Sequence, residues 1–255
     1  MSTLKLFSWV LATGLSTSTF AAFEFDRPGE GISTSTTPVG QVAWEQGLPT
    51  VHYTEATNEA GQTVRTTSLN ADVLLRTGLA DDLELQLGWA GPSWTQVKVG
   101  GERFSDHGLG DMSVAVKKSV DLNDERLSMA VMAKAELATG EKNFTNHEDI
   151  YSITTALSYK YDDMITTAMN MRYEYEDHNW AIVAIPSLQY RVADKWSGFS
   201  EFVYRKAESH DYESRLTTGV LYALNERVQL DASVGVDLNA TDKSYRSGFG
   251  VAFLF

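Results

Sequence analysis

Five histidines and a set of alternating charged residues carry whatever chemistry this sequence can do. His107, His147, His178 and His210 each adjoin a carboxylate, in Asp106-His107, His147-Glu148, Asp177-His178 and His210-Asp211, while His52 stands apart. Imidazole beside carboxylate can hold a divalent cation, respond to mild acid or activate water. No metal-ligand spacing recurs among them, and histidines beside acids are ordinary in loops. A serine nucleophile would need a partner, yet no Gly-x-Ser-x-Gly elbow is present. The pieces Gly100-Gly101 and Gly108-Leu109-Gly110 lack the Lys-Ser/Thr of a phosphate loop. No catalytic residue, metal ligand or cofactor is therefore assigned, and a hydrolase is the weakest of the readings carried forward.

The charged residues are more informative, because they alternate with apolar ones. Glu84, Asp111, Lys134, Glu136, Arg172, Arg191, Glu201, Arg205, Arg215, Asp231 and Arg246 all oppose the apolar phase of their segments, as do Asp72, Arg76, Lys117, Glu174 and Asp237. Side chains in a strand alternate with period two, so each such set points to one face. In a closed sheet they form facing rows. One outcome is a ladder of cross-strand salt bridges that fills the interior. The other is a constriction whose opposed charges act on a passing solute. Sequence alone leaves both open.

The elements that must position these rows are twelve alternating segments: roughly 39–54, 62–77, 82–91, 109–120, 127–138, 150–161, 164–175, 180–191, 196–205, 214–224, 227–238 and 245–255. Leu83, Leu85, Leu87 and Trp89 oppose Glu84, Gln86, Gly88 and Ala90; Val228, Leu230, Ala232, Val234 and Val236 oppose Gln229, Asp231, Ser233, Gly235 and Asp237. Connections alternate in length. Short turns such as Gly78 to Asp81, Asp162-Asp163 and Asn225-Glu226 follow the even strands; longer stretches such as Pro92 to Gly108 and Thr139 to Asp149 follow the odd ones, with Glu176 to Asn179 the exception. This is the pattern of an all-β, up-and-down antiparallel transmembrane β-barrel of about twelve strands, with both ends of the chain in the periplasm. Trp44, Trp89, Tyr151, Tyr173, Trp180, Tyr204 and Tyr222 share the apolar phase and sit near strand ends, as interfacial girdles do.

Composition agrees. The chain has 255 residues, no cysteine, 43% hydrophobic content and a net charge of −13. No disulfide framework is available, and no basic footprint for nucleic acid exists. No apolar run long enough for a helical span follows the amino terminus.

Residues 1–21 read as a signal peptide, with Lys5 before an apolar stretch from Leu6 to Leu15 and small residues leading to Ala21. Residues 22–38 form a polar lead, containing Asp26-Arg27-Pro28-Gly29 and Ser33-Thr34-Ser35-Thr36-Thr37, that is either a periplasmic tail or a partial plug in which Arg27 meets an interior carboxylate. The barrel is expected over 39–255. Its final strand places Phe249, Phe253 and Phe255 on one face. These aromatics resemble the terminal signal that outer-membrane barrels present to their insertion machinery.

Leu74-Leu75-Arg76-Thr77-Gly78-Leu79-Ala80-Asp81-Asp82-Leu83-Glu84-Leu85, followed by Gly108-Leu109-Gly110-Asp111-Met112-Ser113 and Leu137-Ala138-Thr139-Gly140, resembles the outer-membrane transporter family labelled for the MetA pathway of phenol degradation. Asp26-Arg27-Pro28-Gly29 and Pro38-Val39-Gly40-Gln41 are similar to that family's opening motif. The resemblance implies a porin-like barrel in a Gram-negative outer membrane and supplies no catalytic residues. The expected function is a channel for passive uptake of small solutes, either hydrophobic or aromatic ones that fit the label or polar ones that fit the charged lining. The alternative is a closed structural or surface-interaction barrel. Expected partners are outer-membrane lipids, lipopolysaccharide, the insertion machinery and a small-molecule solute.

Overall fold

The computed structural model describes residues 23–208, 210–239 and 242–255. The expected signal peptide lies outside the described residues. Fifteen strands form one sheet: β1 (Val42–Thr57), β2 (Thr63–Asn70), β3 (Val73–Ala80), β4 (Leu83–Trp89), β5 (Pro92–Val99), β6 (Glu102–Leu109), β7 (Met112–Val120), β8 (Leu127–Leu137), β9 (Ile150–Lys160), β10 (Ile165–Glu176), β11 (Asn179–Ala193), β12 (Trp196–Ala207), β13 (Glu213–Asn225), β14 (Val228–Asp237) and β15 (Lys243–Leu254). Every neighbouring pair is antiparallel. The sheet closes where β15 returns to β1, with Trp44 opposite Phe253 and Tyr53 opposite Tyr245. Closure satisfies the backbone groups of both terminal strands, which hydrocarbon requires.

Six of these strands pair end to end, so the wall has twelve members. β2 lies above β3 beside β1, β5 continues β4, and β6 continues β7. The interruptions fall side by side. Gly47 N donates to Asp72 O at 3.0 Å, Ala71 N to Pro92 O at 3.2 Å, Ala90 N to Asp111 O at 2.8 Å and Gly110 N to Gly91 O at 2.9 Å. Gly91 has a φ of +77°, and an added Cβ would run into the carbonyl of Ala71. A side chain there is excluded twice, by conformation and by space.

The expected long connection from Pro92 to Gly108 is instead the β5–β6 hairpin. It turns at Gly100 and Gly101, both at positive φ, as tight hairpins require. The expected strand ends at 91 and 109 are thus interruptions in longer wall strands. Glu176 to Asn179 is a second tight turn, with Asp177 and His178 at φ +41° and +65°. The remaining long connection, residues 138–149, folds over the otherwise unpaired edge of β6. Glu141 N donates to Leu109 O at 2.8 Å, Asn143 Nδ2 to Asp106 at 2.6 Å, and Phe144 packs against Gly108.

The two faces sort as the alternation requires. Val234 is 57% exposed, Ile153 55% and Phe249 65%, all on the outer wall, whereas Glu84 is 0% and Asp231 5% exposed on the inner one. Apolar side chains bear on lipid and charged ones on the lumen. The chain is an integral membrane β-barrel.

The charged lumen as candidate functional site

Residues 23–38 run through the lumen, where three groups of wall side chains bind them. The first group is centred on Arg76 of β3, an inward position flanked by outward Leu75 and Thr77. Its guanidinium reaches Glu45 Oε1 at 2.8 Å, Glu84 Oε1 at 3.0 Å and Glu84 Oε2 at 3.1 Å, and it donates to the Glu24 carbonyl at 3.1 Å. The Phe23 ring lies 4.8 Å from the guanidinium carbon. Lys117 of β7 joins Asp26 and Glu84, each at 3.3 Å. Arg76, Lys117, Glu45 and Glu84 are all fully buried. Such a group persists only because every member is paired; removing one leaves uncompensated charge.

The second group fixes the middle of the lead. Arg27 bonds Asp72 at 2.9 Å and Asp231 at 3.4 Å. Glu201 of β12 accepts Glu30 N at 3.0 and 3.1 Å, and Asn170 of β10 accepts Ile32 N at 3.0 Å. Glu84 also takes the Thr37 hydroxyl at 2.6 Å. Wall side chains therefore satisfy amides that an irregular segment cannot satisfy itself.

The third group lies toward the outer mouth. Arg172 bonds Glu174 at 2.7 Å, and Arg205 reaches the other oxygen of Glu174 at 3.1 Å. Arg215 bonds Asp237 at 2.6 Å and also Glu30, which Arg172 approaches at 3.8 Å. Lys134 and Glu136, two apart on β8, pair at 2.6 Å. Arg246 is half-buried nearby; its Nε has no hydrogen-bond partner among the described residues. His52 bonds Ser244 Oγ at 2.9 Å.

The expected lining residues thus divide. Glu84, Glu201 and Asp231 hold the lead, Arg172 and Arg215 reach it through Glu30, and Lys134, Glu136 and Arg205 pair with the wall itself. Arg191 keeps the inward phase but is exposed near the Ala193 end of β11. Asp111 has a different employment: at the β6–β7 interruption its two oxygens accept Gly140 N and Asn146 N at 2.7 Å each, anchoring the 138–149 loop. Sequence reasoning missed Glu45, Glu30 and Asn170. Glu45 was readable from its place beside outward Trp44; Glu30 and Asn170 carry no signal before the lead is threaded. His147, His178 and His210 lie with their acids on exposed turns, Asp106-His107 lies exposed within β6, and no three His, Asp or Glu side chains converge as a ligand set among the described residues. Phe249, Phe253 and Phe255 all lie on the outer phase of β15 or just past it, and Phe253 stacks on Phe255 at 6.0 Å.

Between the lead and the wall remains a cavity of about 560 Å³, lined in part by Asn225, Glu226 and Arg227 at the β13–β14 turn. Phe25, Ile32 and Phe199 give it apolar walls, and Asn170, Glu201 and Gln229 polar ones.

Residues 25–255 match the family described as "Putative MetA-pathway of phenol degradation". The chain belongs to that family. Its fold is similar to an outer membrane channel from Pseudomonas putida F1, with a TM-score of 0.67 at 12% identity over 89% of this chain and 100% of that one. The NanC porin aligns with a TM-score of 0.51 at 11% identity over 83% of this chain and 98% of that one. The transport unit of the autotransporter AIDA-I from Escherichia coli aligns at 0.52 and 9% identity, over 84% and 90%. These likenesses are of fold. No curated protein sequence matches the chain.

Proposed function

We propose that this family member is a passive outer-membrane channel for small solutes, with residues 23–38 acting as a partial plug. The observation that carries the reading is the lead itself: it narrows a charged lumen and leaves a cavity between itself and the wall. A structural barrel has no use for such a cavity. Its volume lies within the range of small-molecule pockets, and its mixture of Phe199 and Phe25 with Asn170 and Gln229 suits small amphipathic molecules such as aromatic acids. The charged groups act as positioning elements for the plug and as a field on the solute; no reaction is assigned to them. In the membrane the barrel contacts phospholipid and lipopolysaccharide, and its terminal aromatics Phe249, Phe253 and Phe255 are presented to the insertion machinery.

Swelling of liposomes containing the folded chain tests this directly. The expected result is measurable entry of monocyclic aromatic acids and exclusion of disaccharides, with disaccharides admitted once residues 23–37 are deleted. A barrel impermeable in both forms would establish the closed structural alternative.

A further inference from the structure

Above the girdle, on the outer wall, five charged side chains lie directly opposite one another on five successive wall strands. Lys243 of β15 faces Glu55 of β1, Glu55 faces Arg65 of β2, Arg65 faces Lys98 of β5, and Lys98 faces Arg103 of β6. The row thus holds four cations and one carboxylate. Glu55 is already engaged, taking Arg65 Nε at 2.8 Å and Lys243 Nζ at 3.0 Å. Lys98 and Arg103 make no ion pair among the described residues and are exposed. Like charges directly across a ladder are destabilising. A run of three, in a chain whose net charge is −13, calls for an anion from outside.

The surrounding residues set its depth. Tyr53 stands two residues below Glu55 on the same face, donating to it at 3.2 Å, and stacks on Tyr245 with ring centroids 6.4 Å apart. Trp94, 48% exposed, stands four residues below Lys98. Tyr and Trp on the outer phase mark the boundary of the hydrocarbon. At about 3.4 Å per residue the cations stand roughly 7–14 Å beyond that boundary along the strands. That is headgroup depth in the outer leaflet. Arg65 to Arg103 spans two strand spacings, about 10 Å, wide enough for more than one phosphate. Guanidinium forks favour phosphate oxygens taken in pairs.

We propose that Arg65, Lys98 and Arg103, flanked by Lys243, form a binding site for the diphosphorylated sugar headgroup of lipopolysaccharide. The site rests on the lipid partnership proposed above and is independent of solute passage. It gives the β5–β6 hairpin a fixed position against the leaflet.

The test uses the folded full mature chain in detergent micelles, titrated with diphosphoryl lipid A, monophosphoryl lipid A, phosphatidylglycerol and inorganic phosphate. The expected result is saturable binding of diphosphoryl lipid A, weaker binding of the monophosphoryl form, and no competition by millimolar phosphate. Lys98→Gln with Arg103→Gln should weaken binding about thirtyfold, the worth of two basic residues at an anionic surface. Lys118→Gln, at the opposite end of the barrel, should leave it unchanged. Heat-modifiable migration on gels confirms that each variant is folded. Binding that survives the double substitution overturns the site while leaving the lipid partnership standing. No binding by the unaltered chain overturns both, and equal binding of phosphatidylglycerol or displacement by free phosphate overturns the assignment to lipopolysaccharide.

Discussion

Both carboxylate oxygens of Glu201 accept the backbone amide of Glu30, at 3.0 and 3.1 Å. One residue belongs to the wall and the other to the lead. The contact joins side chain to main chain, so the identity of residue 30 does not determine it. Glu201→Ala should leave that amide unpaired and loosen the lead by about 1–3 kcal/mol, the cost of a buried donor left without a partner. Single-channel recordings in planar bilayers would read this as longer or larger openings. Unchanged conductance would detach Glu201 from any role in closing the lumen.

Arg76 is a structural prediction and not a transport one. It is fully buried among Glu45, Glu84 and Asp26. Arg76→Ala should cost about 3–5 kcal/mol, because three carboxylates lose their common cation. Urea unfolding followed by tryptophan fluorescence would measure it. Arg76→Lys should recover only part of the loss, since an ammonium does not reproduce the fork that grips both oxygens of Glu84.

Gly91 is the sharpest backbone test. Its φ of +77° and the adjacent Ala71 carbonyl leave no place for a Cβ. Gly91→Ala should destabilise the barrel by about 1–3 kcal/mol. Gly61, also at positive φ but with open space around it, should tolerate the same change with a smaller loss. The difference between the two isolates crowding from conformation.

Removing Phe255 separates assembly from stability. The residue is exposed, yet its backbone exchanges hydrogen bonds with Val42. The shortened chain should refold in detergent with nearly unchanged unfolding, while its accumulation in the outer membrane of cells falls. Equal losses in both assays would assign Phe255 to the barrel closure alone.

The wall was legible because its alternation has a physical cause that acts residue by residue. Leu83 to Trp89 states its two faces outright, since lipid and lumen reject each other's side chains. The lead was not legible in the same way. Asp26 and Arg27 meet Lys117 and Asp231 across 91 and 204 positions, and no local period records such a distance. The β5–β6 hairpin was hidden for another reason. Pro92 and the Gly100-Gly101 pair fall within the stretch expected as one long connection, yet Pro92 opens a strand, where its missing amide costs least, and the glycines make a turn. Asp111 shows the remaining limit: period two set its phase correctly, but the loop amides that occupy it come from residues 140 and 146.

The four aligned interruptions also divide the labour of the sheet. Below them, β3, β4 and β7 keep register through Arg76, Glu84 and Lys117, and above them β2, β5 and β6 keep register among themselves. The outer leaf is therefore a graft on a self-sufficient stave. New sequence introduced at Gly100-Gly101 would project beyond the barrel mouth remote from Val42 and Phe255 without disturbing the alignment beneath it, which makes that turn a natural place for insertion.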